Sequence, residues 1–204
     1  MNNKLGQLFV ISAPSGAGKS SLIQSILTNI ENVELSISAT TRLPREGEVE
    51  GEHYFFVAED NFNKLKTDNA FIESALVHNY QYGTLREYIN ERLSQGINVI
   101  CDIDVQGFKL IQKAGVDHIS IFIIPPSIKE LEKRLLKRGL DSENVIGTRL
   151  KNAKKELKYA EEFDYRVLND NFEHAYQEIE NIIGGKLSKN NDKINLKILK
   201  DMLS

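Results

Sequence analysis

One cysteine, four prolines and no apolar run long enough to cross a bilayer characterise this chain of 204 residues. A lone cysteine forms no internal disulfide, which points to a reducing compartment. Neither sign of charge dominates: 26 Lys and Arg against 29 Asp and Glu leave a formal net charge of −3. No overall positive field therefore draws the chain to nucleic acid or anionic lipid, and phosphate binding has to come from local clusters. The amino terminus, Met1-Asn2-Asn3-Lys4, lacks a secretory cleavage pattern, and no internal repeat is present. These absences predict a cytoplasmic protein with no membrane or nucleic-acid partner. What is present is globular: 41% hydrophobic and 27% charged residues exclude collagen-like, mucin-like and wholly disordered chains. A chain of this size can bury about 70% of its unfolded surface, so its core needs no metal or disulfide.

Short apolar runs alternate with longer amphipathic segments, the pattern of an α/β fold with a parallel sheet covered by helices. Leu8-Phe9-Val10-Ile11, Asn98 to Cys101 and Ile119 to Ile124 read as strands buried on both faces, and Tyr165 to Leu168 as a last strand. A helix starting near Lys19 would carry Leu22, Ile23, Ile26, Leu27 and Ile30 on one stripe. Pro125-Pro126 stops one strand, and Ser127 with Glu130 makes a capping box for the next helix. Thr84 with Glu87 predicts a second capping box, opening a helix that ends near Gly96, and Phe172 to Ile183 reads as a last helix. Two regions break the rhythm. Residues 35 to about 83 alternate loosely around Ile72, Ser74 and Leu76, as in a half-exposed antiparallel sheet. Residues 127 to about 162 are charged and helical, with Gly139 and Gly147 as candidate hinges. The division expected is a core of 1–34, 91–126 and 151–185, an insertion at 35–90, a second at 127–150 and an unassigned tail at 186–204, where Ile194 to Leu199 could form a short docking helix.

Ala13-Pro14-Ser15-Gly16-Ala17-Gly18-Lys19-Ser20 joins the first strand to the first helix. A phosphate loop needs such glycines because inward-facing N–H groups leave no room for Cβ atoms. The helix N-terminus adds partial positive charge, Lys19 a mobile cation and Ser20 a hydroxyl suited to Mg²⁺. Ala13 replaces the first glycine of the pattern, a mild departure if that position avoids positive φ. The bland alternative is a glycine-rich turn with a solvated lysine. Val99-Ile100-Cys101-Asp102 ends a strand in a carboxylate, as a Mg²⁺-supporting aspartate would require, and Asp104 would share its face by the period of two. Cys101 reads as a small buried hydrophobe.

Thr41-Arg42-Leu43-Pro44-Arg45-Glu46-Gly47-Glu48 puts two arginines in a segment that Pro44 and Gly47 keep out of regular helix. Two guanidinium forks can enclose a phosphate dianion, with Tyr54 and Tyr82 adding hydroxyl donors. Equally, the arginines could pair with Glu46, Glu48 and Glu50 in a solvated loop.

Together these segments resemble guanylate kinase: the phosphate loop, Ser36 to Arg42 through Gly51 and Tyr54, Phe71-Ile72-Glu73, Tyr82-Gly83-Thr84, Asp102-Ile103-Asp104-Val105-Gln106-Gly107, then Arg134, Arg138, Arg149 and Val167-Leu168-Asn169-Asp170. The resemblance spans about residues 5 to 184. It implies a P-loop core binding ATP, a small mixed α/β insertion for GMP or dGMP and a helical lid. It places ATP on residues Ala13 to Ser21 with Asn169, and GMP on Ser38, Arg42, Arg45, Glu48, Tyr54, Glu73, Tyr82, Thr84 and Asp104. Lys19, Arg134, Arg138 and Arg149 would act on the transferred group, with Mg²⁺ held by Ser20 and, through water, by Asp102. The chemistry agrees, because guanine N1–H and N2 amino groups suit one carboxylate, Glu73, while O6 needs a donor such as Ser38 or Thr84. A homo-oligomer stays open. A rival from another class is a guanylate-kinase-like scaffold module that binds phosphopeptides without turnover, but Lys19, Ser20 and Asp102 are all in place.

Replacing Lys19 with Met should lower turnover by orders of magnitude, about 10² or more, while GMP binding measured by calorimetry stays nearly intact.

Overall fold

The computed structural model describes residues 5–77, 79–138, 143–187 and 193–203. Strand β1 (Leu8–Ser12) leads to helix α1 (Lys19–Asn29), then β2 (Val33–Leu35), β3 (Ser38–Thr40) and β4 (Phe55–Phe56). Helix α2 (Glu59–Thr67), β5 (Phe71–Val77), β6 (Tyr80–Leu85), α3 (Arg86–Ser94), β7 (Asn98–Asp102) and α4 (Val105–Lys113) follow. The chain continues through β8 (Ile119–Ile124), α5 (Ile128–Arg138), α6 (Glu143–Leu157), β9 (Tyr165–Leu168), α7 (Phe172–Ile183) and α8 (Lys193–Leu203). It divides into two compact units, residues 1–8 with 32–118, and residues 9–31 with 119–204.

In the first unit β2 and β7 pair in parallel, Val33 opposite Asn98 and Leu35 opposite Ile100. A separate mixed sheet runs in the order β4-β3-β6-β5. Its β5–β6 hairpin is antiparallel, with a register shift between Phe71 and Glu73 and Asn79 at φ 70° in the turn. That bulge explains the loose alternation of the sequence here, because an extra residue turns Phe71, Ile72 and Glu73 all inward. Ala39, Phe62 and Phe71 form the buried heart of this sheet's packing, with Phe55, Val57, Leu65 and Leu85 around them. The rings of Phe62 and Phe71 stack at 4.5 Å between centroids. Gly83 is small for a reason of space, since a Cβ there would lie 2.7 Å from the Phe71 ring.

In the second unit β8 pairs in parallel with β1 and with β9. Every residue of β1 is buried, as its unbroken apolar run predicts. Helix α1 buries Leu22, Ile23 and Ile26, while Leu27 is half-buried and Ile30 is already the extended C-cap. Helix α5 opens as the sequence indicates, with Glu130 N–H donating to Ser127 Oγ at 3.1 Å. Helix α7 starts at Phe172 because the Asn171 side chain caps His174 N–H. Leu131 and Leu135 of α5 pack with Ile146, Leu150 and Ala153 of α6.

Two expectations are corrected, and the docking helix considered for the tail is present. Gly147 is no hinge, for it lies inside the continuous helix α6, where helical neighbours outweigh glycine's freedom; Gly139 lies outside the described residues. Thr84 caps nothing, since it belongs to β6, and α3 has Leu85 at its N-cap with no side-chain cap. The tail holds a helix, α8, docked on β9 and α6, with Leu199 fully buried and Asn195 Nδ2 donating to the Arg166 carbonyl at 2.6 Å.

Truncating Phe62 to Ala removes one half of a stacked, fully buried pair. It should cost about 3–5 kcal/mol in equilibrium urea unfolding of the whole chain.

Candidate functional site

The second unit joins β1 to α1 by a glycine-rich loop. Gly16 and Gly18 sit at φ 92° and 96°, which L side chains rarely adopt. Ala13 is not among the residues with positive φ, which in non-glycine positions are Asn32, Asn69 and Asn79, so the alanine at the pattern's first position carries no strain. Helix α1 begins at Lys19 with no side-chain cap and no acidic residue in its first turn. No carboxylate of its own first turn therefore competes for its leading N–H groups and partial positive charge.

Residues far along the sequence brace this loop. Asn169, almost fully buried, donates through Nδ2 to the Ala17 carbonyl at 2.7 Å. A Cβ on Gly18 would come within 2.4 Å of that amide nitrogen. Arg134 of α5 donates to the Asn169 carbonyl at 3.1 Å and to the Ala17 carbonyl at 3.5 Å, and its Nε lies 3.4 Å from Glu130. Gly16, Gly18, Ser21, Arg134 and Asn169 line a cavity of about 600 Å³ that Lys137, Asp170 and Phe172 complete. The structure thus brings Arg134 and Asn169 to the loop. Arg149 is half-buried on α6, and the Arg138 side chain lies outside what the structure describes. Ser20 is exposed in the first turn of α1. Ser12, the last residue of β1, was not singled out by sequence; its hydroxyl is fully buried and without a hydrogen-bond partner among the described residues.

The first unit builds a different pocket on its mixed sheet. Ser38 of β3 pairs with Thr84 of β6, which pairs in turn with Glu73 of β5, so the three lie in one line across the strands. Thr84 Oγ1 donates to Glu73 Oε1 at 2.8 Å. This is why the capping reading of Thr84 fails: a nearly buried carboxylate claims its hydroxyl. Burial pushes the Glu73 carboxyl above its ordinary pKa, the Thr84 hydrogen bond opposes the rise, and the charge of Asp104 adds to it. Ser38, Tyr54, Glu73, Tyr82, Asp102 and Asp104 line one cavity of about 420 Å³. Asp102 and Asp104 do not share a strand face, since β7 ends at Asp102 and Asp104 is the N-cap of α4, accepting from Gly107 N–H at 2.9 Å. Ile103 and Gln106 also line this cavity; both lie inside the Asp102-to-Gly107 motif but were not given roles. A larger cavity of about 740 Å³, beside Leu65, Leu85 and Tyr88, contains none of the candidate substrate residues.

Arg42 follows β3 and is nearly buried. It donates to Tyr82 Oη at 3.3 Å, to the Leu43 carbonyl at 2.8 Å and to Glu48 Oε1 at 2.7 Å, and lies 5.3 Å from the Tyr54 ring centroid. Of the two readings of this segment, part of the ion-pair one holds. Arg42 pairs with Glu48, whereas Glu50 accepts from Phe56 N–H and Arg45 is exposed, giving only its backbone N–H to Glu48 at 2.7 Å. Three of five guanidinium hydrogens are committed, and two remain for a ligand. The Arg42 hydrogen bond, then the Arg45 amide, hold the Glu48 carboxyl down at about 2 against an ordinary 4.5.

A depressed carboxylate pKa stabilises the fold above the unfolded value and loses that contribution as pH falls through the folded one. The stability advantage of the wild type over Glu48→Gln should therefore be constant above pH 4.5 and vanish on acidification towards about 2, as read from urea midpoints at a series of pH values.

Comparison with known proteins identifies the family. The family model described as guanylate kinase matches residues 5–186. A guanylate kinase of Methylobacillus flagellatus is 47% identical over 178 residues, 87% of this chain and 88% of that one. One of Thermotoga maritima is 43% identical over 192 residues, 93% of each. The crystal structure of guanylate kinase from Anaplasma phagocytophilum superposes with a TM-score of 0.65 at 32% identity, covering 97% of this chain and 95% of its own. A family model matched over residues 5–186 and relatives matched over nearly their full length lead to one assignment: this chain belongs to the guanylate kinase family.

Proposed function

We propose that this chain transfers the γ-phosphoryl group of ATP to GMP, or dGMP, releasing ADP and GDP or dGDP. The observation that carries the choice of acceptor is the Ser38–Thr84–Glu73 line, with its carboxylate almost removed from water. Guanine offers N1–H and the N2 amino group side by side, and Glu73 can accept both. Its O6 would take a hydrogen bond from Ser38, because the one hydroxyl proton of Thr84 is already given to Glu73, and Asp104 closes the same cavity. Adenine lacks that donor pair and would leave the buried carboxylate unpaired, a mismatch that can exceed 10⁴-fold in sites of this type.

The GMP phosphate would lie against the two unused hydrogens of Arg42, with Arg45, Tyr54 and Tyr82 closing on it and Glu48 fixing the Arg42 fork. Residues Ala13 to Ser21 would cradle the ATP phosphates, and Arg134 and Asn169 would hold the nucleotide from the side of the 600 Å³ cavity. The attacking oxygen belongs to a phosphate already anionic at neutral pH, so no general base is needed. Lys19, Arg134, Arg138 and Arg149 would compensate the charge in flight, and closure of residues 127–150 as a lid would exclude water as a competing acceptor.

Among the described residues no group of three His, Cys, Asp or Glu side chains converges on a point. The ion we propose, Mg²⁺, would instead be held by the exposed Ser20 hydroxyl and, through water, by Asp102, hard oxygen donors that suit it. It would neutralise charge on the phosphate oxygens. The proposal also sets the enzyme in the cytoplasm, without nucleic-acid or membrane partners; no helix among the described residues is long and apolar enough to cross a membrane.

ADP production measured against GMP, dGMP, AMP and UMP tests the reading, with turnover expected for the guanine acceptors alone. Glu73→Gln should lower kcat/KM for GMP about a hundredfold or more while leaving KM for ATP within about twofold. Equal effects on both substrates would remove Glu73 as the guanine reader.

A further inference from the structure

Strand β9 is the end strand of its sheet, paired with β8 on one side. Register decides which of its backbone groups face outward. Asn169, directly after the strand, donates its N–H to the Ile124 carbonyl of β8 at 2.8 Å. Along a strand the N–H and C=O groups of successive residues point to opposite sides, so Val167 and Tyr165 also face β8. The backbone groups of Arg166 and Leu168 are therefore turned to the open edge. Such an edge, with Tyr165 and Val167 as strand formers, is a template for another strand unless something covers it.

Helix α8 covers it. The Asn195 side chain donates through Nδ2 to the Arg166 carbonyl at 2.6 Å, so a side-chain amide stands where the N–H of a neighbouring strand would stand. The helix packs on β9 and α6 with Leu199 fully buried, while Lys197, Lys200 and Asp201 are exposed. Tyr165 Oη donates to the Leu187 carbonyl at 2.9 Å, which ties the chain to the same strand before the helix begins. Residues 187, 195 and 199 all lie past residue 186, where the match to the family model ends. The matched segment thus ends with an open strand edge, and the tail brings the cover.

We propose that the outer edge of β9 is a strand-pairing surface for a second copy of this chain, and that α8 is its removable intramolecular occupant. A second copy fits because β9 laid antiparallel on itself exchanges identical backbone groups about a two-fold axis, which closes at two chains. Docked, α8 holds the outward carbonyl and bars the other strand; undocked, it leaves the edge free. Self-association is in this way governed by the state of the tail.

Sedimentation equilibrium of full-length variants tests this, with thermal unfolding run in parallel. Asn195→Asp keeps the side-chain size but turns the donor into an acceptor against the Arg166 carbonyl, and Leu199→Asp places a charge in a fully buried site. Both should tighten self-association about tenfold or more relative to wild type, Leu199→Asp the more strongly. Adding Leu168→Pro to either variant removes an outward N–H while sparing the ladder to β8, and should return association to the wild-type level. Variants that melt lower yet associate no more than wild type overturn the proposal, because α8 would then only stabilise the fold. Association that persists in the Leu168→Pro background overturns it too, since the contact would then lie elsewhere. If Leu199→Asp fails to fold, Asn195→Asp with and without Leu168→Pro decides by itself.

Discussion

Phosphorylated ligands have to be held by a chain whose own formal charge is −3, so attraction cannot be a property of the whole surface. On the proposed function it would be supplied at short range, in two chemically different ways. In the second unit the donors are backbone N–H groups at the start of α1, oriented by Gly16 and Gly18 and left without a side-chain cap. In the first unit the donor is a guanidinium, and here the negative charge of the chain is part of the device. Glu48 pairs with Arg42 and fixes its plane, with Tyr82 and the Leu43 carbonyl, before any ligand arrives. Side-chain entropy is surrendered on folding instead of on binding, and two of the five guanidinium hydrogens take no part in these three bonds.

Glu73 shows the opposite balance. Its burial raises its folded-state pKa above the ordinary 4.5, so its contribution to stability is fully present below that pH and declines as pH rises beyond it. A carboxylate nearly stripped of water, with one hydroxyl as partner, is a liability in the empty protein and an anchor for a base with two adjacent donors. On the proposed function, discrimination between purines would be the return for burying a carboxylate where an apolar residue would stabilise more.

Much of the fold could be read from the sequence, and the reason is burial on both faces. β1, β8 and β9 are runs of apolar residues bounded by turn formers, and α7 has both an Asn cap and a Gly-Gly end, so local pattern and tertiary role coincide. The readings failed where a long-range partner outweighed the local signal. Thr84 has the spacing of a cap, but Glu73 on the neighbouring strand claims its hydroxyl; Gly147 looks like a break, but α6 packs through it against α5. The polar tail gave no periodic signal strong enough to assign, and α8 docks with Leu199 buried and the Asn195 amide on the Arg166 carbonyl. Of the site, the phosphate loop could be derived from its own chemistry. The guanine-facing line of Ser38, Thr84 and Glu73 came only through family resemblance, because strand register brings together residues from three separate segments.

The amide of Asn169 occupies the volume that any side chain on residue 18 would need. These two positions, remote in the chain, are therefore coupled by exclusion: neither can drift to a bulkier residue while the other stays as it is. Among descendants of this sequence they are expected to be frozen together or exchanged together, and grafting the loop onto another scaffold without its distant asparagine would transplant only half of the structure that keeps it in shape.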